Sequence, residues 1–183
     1  MRQAFLLALM ISLLLTAGCK SHSRQEENFT NWKEQFLLSD ELSITAVVKA
    51  SSDDTVSKYK LVYEKRGDTE SVEILEPELI SKVKAYIKSG ETELSYDGAV
   101  LETGNLAEEQ LSPMRALPTF IEFLEEGHLK GVWTEKTNGE NSLTAELQLS
   151  DGSHMLLWIN ESSGQLLAAS IHGSEAAEIM IDF

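Results

Sequence analysis

Residues 131–183 read GVWTEKTNGENSLTAELQLSDGSHMLLWINESSGQLLAASIHGSEAAEIMIDF, and this stretch decides the fold. Strand-like runs fall at 131–136, 143–149, 155–160, 165–172 and 178–183, with apolar and polar residues tending to alternate. A period of two places successive side chains on opposite faces of a strand. Between the runs lie Asn138-Gly139, Asp151-Gly152, Ser163-Gly164 and Gly173-Ser174. These residues tolerate the positive φ of tight turns, so the short connections favour antiparallel hairpins over crossovers.

The same pattern extends toward the N-terminus. Leu42, Ile44, Ala46 and Val48 mark one strand, and Tyr59, Leu61 and Tyr63 the next. Val72 and Ile74 mark a third, ended by Glu76-Pro77. Val83, Ala85 and Ile87 follow, then Leu94 and Tyr96, and Asp97-Gly98 turns into a short strand at 99–102. The total is about eleven strands, and a sheet that large usually curls or closes.

Two segments break the period. Phe29, Trp32, Phe36 and Leu37 fall at helical spacing and predict an amphipathic helix over 28–39. Leu117, Phe120, Ile121 and Leu124 form an i, i+3, i+4, i+7 stripe within 112–126. Ser112 suits the cap of that helix, Pro113 its first position and Gly127 its stop. Pro118 lies inside the run and is expected to bend the helix or split it at Leu117. Strands such as Leu143/Ala145/Leu147/Leu149 have one apolar face, which the helices can cover. The expected fold is mainly β, of the α+β class. It is a strongly curved antiparallel half-barrel wrapped around an N-terminal helix and a mid-chain helical segment, in a single domain over 28–183.

Composition limits the function. The 183 residues include 30 Asp and Glu against 15 Lys and Arg, for a formal charge of −15, which argues against nucleic acid as a partner. A single cysteine excludes an internal disulfide and any multi-cysteine zinc site. Arg2 followed by the apolar run at 4–15 (AFLLALMISLLL) has the length of a secretory signal and is too short to span a bilayer. Residues 15–19 (LTAGC) resemble the bacterial lipobox, with Thr16 where Leu is preferred. That resemblance implies cleavage after Gly18, a diacylglyceryl thioether on Cys19 and N-acylation by a chain such as palmitate. It makes 1–18 a lipoprotein signal peptide and 19–27 a lipidated tether. The alternative is a secreted protein with an incidental cysteine. No other cofactor is expected.

Catalytic motifs are missing. There is no G-x-S-x-G, P-loop, G-x-G-x-x-G or H-E-x-x-H. His128, His154 and His172 fall on separate elements without metal-ligand spacing, and His22 lies in the tether, so no metal site is expected. Ser153-His154 beside Asp151-Gly152 reads as a turn rather than a nucleophilic pair. Glu122, Glu125, Glu126 and His128 read as a solvated charged face, with a weak cation site as the alternative. Trp32 belongs to the helical stripe. Trp133 and Trp158 are either core residues or lining for an apolar cavity in the concave interior.

Several stretches are similar in texture to the LolA/LolB lipoprotein carrier family. Residues 71–78 (SVEILEPE) and 84–98 (KAYIKSGETELSYDG) resemble its strand, Pro-turn, strand and hairpin block. Residues 157–171 (LWINESSGQLLAASI) resemble its late strand-turn-strand block, with Gln165 where Pro often follows the glycine. Residues 112–124 (SPMRALPTFIEFL) resemble the helix between its halves. The resemblance implies a half-barrel plugged by helices. It also implies a non-enzymatic lipoprotein outside the cytoplasm, holding an acyl chain, a lipoprotein lipid or a partner protein. Lipid-anchored members in Gram-positive spore formers, some serving germination, imply the alternative of an envelope or germination scaffold with a filled core. The anchor would lie on the outer face of the cytoplasmic membrane in a Gram-positive cell, and otherwise on the periplasmic side, at the outer membrane. The ligand-binding candidates are Leu117, Phe120, Ile121, Leu124, Trp133 and Trp158. The segment carrying the first four is either a movable cover, hinged at Gly104, Gly127 and Gly131, or a fixed helix that completes the core.

Overall fold

The computed structural model describes residues 19–183 apart from 40, 53–54, 89–90, 102–112, 138 and 174–177. The signal segment 1–18, the Ser112 cap and the Gly104 hinge lie outside the described residues, as does the side chain of Cys19.

Helix α1 (Cys19–Leu37) is the first described element. Strands β1 (Glu41–Ser52), β2 (Thr55–Arg66), β3 (Thr69–Glu76), β4 (Val83–Lys88), β5 (Glu91–Tyr96) and β6 (Ala99–Leu101) follow. Helix α2 (Ala116–Glu126) leads into β7 (His128–Thr137), β8 (Glu140–Gln148), β9 (His154–Asn160), β10 (Leu166–His172) and β11 (Glu178–Asp182). The eleven described strands form one antiparallel sheet in the order β6-β5-β4-β3-β2-β1-β11-β10-β9-β8-β7. The edges do not meet, so the sheet is an open half-barrel. The first and last strands pair at its centre, with Val48 opposite Ile181, and that seam joins two meanders into one surface. The connection carrying α2 passes between the outer edges, from β6 to β7.

The alternating pattern sets the faces. Ile44, Ala46, Val48, Leu61, Tyr63, Val72, Leu147, Leu157, Ile171 and Ile181 point inward and are buried. Asp97 (φ 49°) and Gly98 (φ 83°) make the expected two-residue turn between β5 and β6, with positive φ at both positions. Strand β8 departs from one-sided burial: Ser142 and Thr144 face outward, yet both are 0% exposed.

The helices fill the trough. Helix α1 starts well before residue 28, because Arg24, Gln25, Glu26 and Glu27 are mostly good helix formers. Thr30 Oγ1 donates to the Glu26 carbonyl at 2.9 Å, and Gln25 Nε2 to Thr134 Oγ1 at 3.0 Å. Phe29, Trp32 and Phe36 stack along its inner face, and the series continues to Phe120 and Phe183, with adjacent ring centroids 5.0–6.2 Å apart. Trp32 Nε1 donates to the Gly164 carbonyl at 2.8 Å, tying the helix to the β9–β10 turn.

Pro118 neither bends nor splits α2. A short 3₁₀ turn (Pro113–Arg115) precedes the helix, Arg115 stands at the N-cap position without a side-chain capping bond, and Pro118 occupies the third helical position. The first four helical N–H groups have no intrahelical acceptor, so proline removes no bond there. Gly127 ends the helix, with extended backbone (φ −64°, ψ 135°). A Cβ at Gly127 would lie 2.4 Å from the Phe123 carbonyl oxygen, so the close approach of backbone explains the glycine.

Candidate functional site

The sheet interior and α2 were the expected site. The structure brings Leu117, Phe120, Ile121 and Leu124 together beneath the helix, where they are 0–2% exposed. Ala116 and Phe123 are buried with them, so the apolar arc of α2 is wider than the stripe read from sequence. Their neighbours are Val132, Ala145, Met155 and Ile171 from the C-terminal meander and Phe29 from α1. As placed, these side chains are enclosed between helix and sheet.

The rim of that interior is polar. The buried Tyr63 hydroxyl has no well-formed hydrogen-bond partner. Burial pushes its ionisation well above the usual phenol range, and the Glu70 and Glu125 carboxylates add to the effect. Lys65 bridges those two carboxylates, 2.6 Å from Glu125 and 3.8 Å from Glu70, and so fastens the end of α2 to β2 and β3. The acidic group near His128 is therefore partly tied down through Glu125. Burial raises the Glu122 carboxyl, and Glu126 adds to this.

Trp133 and Trp158 are not in the interior. Both lie on the outer face, in a row that runs Trp133, Thr144, Trp158, Ala168 across β7, β8, β9 and β10. Glu135 reaches over Thr144. It accepts from Trp158 Nε1 at 2.6 Å and from Thr144 Oγ1 at 3.0 Å. These bonds, the indole's first, hold the Glu135 carboxyl below its usual range. The indoles and this clamp lie over Thr144 and explain its burial on an outward face.

Three depressions among the described residues have the wrong character for an acyl chain. One of about 120 Å³ is lined by charged and apolar groups, among them Arg115, Glu122, Phe123 and Asp151. One of about 770 Å³ lies over the polar β7–β8 and β9–β10 turns, around Asn141, Asn160 and Gln165. One of about 360 Å³ lies beside Lys58, Lys60 and Glu76. Drug-sized ligands occupy mostly apolar pockets of about 300–1,000 Å³.

Hydroxyl chemistry is equally committed. Ser153 donates to Asp151 Oδ1 within the β8–β9 turn, as expected of a turn residue. Ser170 lies 2.9 Å from His172 Nε2 and donates to Glu178 Oε1 at 3.0 Å. In a nucleophilic triad the carboxylate orients the far side of the imidazole; here it takes the serine's own proton. Among the described residues, no group of three or more His, Cys, Asp or Glu is arranged to hold a metal, and no helix is long and apolar enough to cross a membrane.

A LolA superfamily protein from Nitrosomonas europaea is similar over 86% of this chain and 90% of its own, at 13% identity and a TM-score of 0.42. A putative outer membrane lipoprotein-sorting domain from Vibrio parahaemolyticus is similar over 85% and 88%, at 10% identity and a TM-score of 0.48. A chain in the complex of the CwlD amidase with the GerS lipoprotein from Clostridioides difficile is similar over 82% of this chain and 87% of its own, at 15% identity and a TM-score of 0.40. At these identities the likeness concerns the fold alone. No family model and no curated protein matches the chain.

Proposed function

We propose that this LolA-like chain is a non-catalytic lipoprotein, anchored outside the cytoplasm through Cys19, that works by binding a partner protein and carries no lipid cargo. One observation supports this reading above the carrier: Leu117, Phe120, Ile121 and Leu124, which would line an acyl site, are enclosed at 0–2% exposure. An anchored chain with a filled trough is suited to act where it is held. The lipobox-like 15–19 supports the anchor, since two or more acyl chains give stable membrane attachment. The commitment of Ser153 and Ser170 to neighbouring carboxylates supports a binding role over a hydrolytic one.

The test combines anchor and partner. Metabolic labelling with a palmitate analogue should mark the native chain and fail to mark Cys19→Ala. A photo-crosslinking residue placed in turn at solvent-facing and at interior positions of the anchored protein should yield discrete protein adducts from the surface only. Lipid adducts from position 120 or 124, with no protein adduct from any surface position, would return the chain to the carrier class.

A further inference from the structure

The outer face of the C-terminal meander aligns histidines from separate strands. One row across the sheet runs His128, Gln148, His154, His172, Glu178, each directly opposite the next. His154 and His172 occupy neighbouring strands, and their rings stack with centroids 4.8 Å apart and planes 15° from parallel. His128 is separated from His154 by a whole strand, about 10 Å, and cannot share an ion with it.

The hydrogen bonds around His172 fix its tautomer. The Ser170 hydroxyl has one proton and gives it to Glu178 Oε1 at 3.0 Å, because a carboxylate can only accept. Ser170 Oγ must then accept from His172, 2.9 Å away, so His172 carries its proton on Nε2. In the neutral imidazole that leaves Nδ1 with a free lone pair. A hydrogen-bonded chain of carboxylate, hydroxyl and imidazole N–H is the kind of arrangement that orients a metal-binding histidine and raises its basicity. Among the described residues no hydrogen bond engages the His154 ring. Residues opposed across two strands have Cβ atoms about 4.5–5.5 Å apart. With His172 held by Ser170, rotation of the His154 ring about its side-chain torsions can therefore bring one of its nitrogens to an ion on His172 Nδ1, each at about 2.0–2.1 Å.

We propose that His154 and His172 form a two-histidine site for one late first-row divalent ion, with Ser170 and Glu178 as positioning residues and water completing the coordination. Imidazole donors suit copper, nickel and zinc, and copper(II) binds most tightly in that series. The site lies on the face opposite the filled trough and is independent of the proposed partner-binding role.

The experiment uses the untagged full chain in detergent, with His22→Ala as the reference background to silence the N-terminal histidine. Copper(II) is titrated and followed by electron paramagnetic resonance, and zinc(II) by calorimetry. The expected result is one ion per chain, a copper spectrum with two nitrogen ligands, and a rise in Tm with zinc, because an ion bound only by the folded state stabilises it. His154→Asn and His172→Gln should each weaken binding at least tenfold with an unchanged circular dichroism spectrum. Ser170→Ala should weaken it by about 10–100-fold, the usual effect of removing a group that orients a ligand. His128→Ala should leave it unchanged. A reference chain that shows no saturable binding and no two-nitrogen signal would overturn the proposal, whatever the variants do. Binding lost in His128→Ala but kept in His154→Asn would overturn it too, and an unaffected Ser170→Ala would remove the positioning role.

Discussion

Strands β1–β6 carry a lattice of charges on their outer face, whereas β7–β10 carry indoles, hydroxyls and imidazoles there. Lys84 lies 3.7 Å from Glu64 and 3.6 Å from Glu73, Lys60 lies 3.9 Å from Glu76, and Lys49 at the seam lies 2.6 Å from Asp182. In the other half the outer face is held by Glu135 against Trp158 and Thr144, and by the His154–His172 stack. The inner faces differ as well. Both helices pack on the C-terminal meander, α1 against β7 and β8 and α2 against β8 and β10. On the far side of the sheet Leu94 is half-buried and Tyr96 is 46% exposed. The same alternating pattern thus gives a thick, two-sided core in one half and a thinner sheet in the other. The difference lies in how far the helices reach across the sheet: β1–β3 still bury Val48, Leu61, Tyr63 and Val72 in the common core, and the outer strands β5 and β6 are the thin end.

The largest expected effect tests that asymmetry. Leu147→Asp places an unpaired charge at a position 1% exposed and should cost several kcal/mol, enough to abolish cooperative urea unfolding. Leu94→Asp, in the thinner half, should leave a folded protein with a clear transition. Equal loss from the two substitutions would break the comparison. Next in size, Leu124→Ala removes a fully enclosed side chain and should lower stability by about 2–5 kcal/mol, read from the urea midpoint.

Trp158→Phe removes the indole N–H that Glu135 accepts and should cost about 1 kcal/mol. A carboxyl held below its unfolded value stabilises the fold above that value and loses the contribution as pH falls through its folded value. The Glu135 contribution is thus complete well above pH 4.5 and fades below it. Urea midpoints measured down the acid range should therefore fall less steeply in Glu135→Gln than in the native chain. The smallest effects belong to the charged lattice. Lys84→Gln should change stability by no more than about 0.5–1 kcal/mol, and 1 M salt should shrink even that. Glu146→Lys, which faces outward from β8, should be nearly silent.

Much of this was legible in the sequence because it depends on local order. Period-two alternation and turn residues such as Asp97-Gly98 mark the strands, and the Leu117–Leu124 stripe marks α2. What escaped depends on register or position. An uninterrupted β7 with Leu129 inward would also turn Trp133 inward. The irregularity between Leu129 and Gly131 shifts the register, so Val132 faces the core and Trp133 faces out. The effect of Pro118 turned on whether the helix begins at 112 or at 116. The pairing of β1 with β11 joins residues far apart in sequence, and no spacing rule reaches it, while the pairing of His154 with His172 turns on the irregularity between Leu166 and Ala168 in the β9–β10 hairpin. The outward burial of Thr144 needs three neighbouring strands in place before it exists at all.

The account rests on the trough being filled by the protein's own side chains. The chain from Lys20 onward, shown by circular dichroism to be mainly β, would be mixed with a fatty-acid probe at micromolar concentration and examined by native mass spectrometry. The account predicts a spectrum of the unliganded chain alone, with tryptophan fluorescence unchanged on titration. A saturable one-to-one complex that Leu124→Trp weakens while leaving the fold intact would contradict it, because such a site requires the space beneath α2 to open.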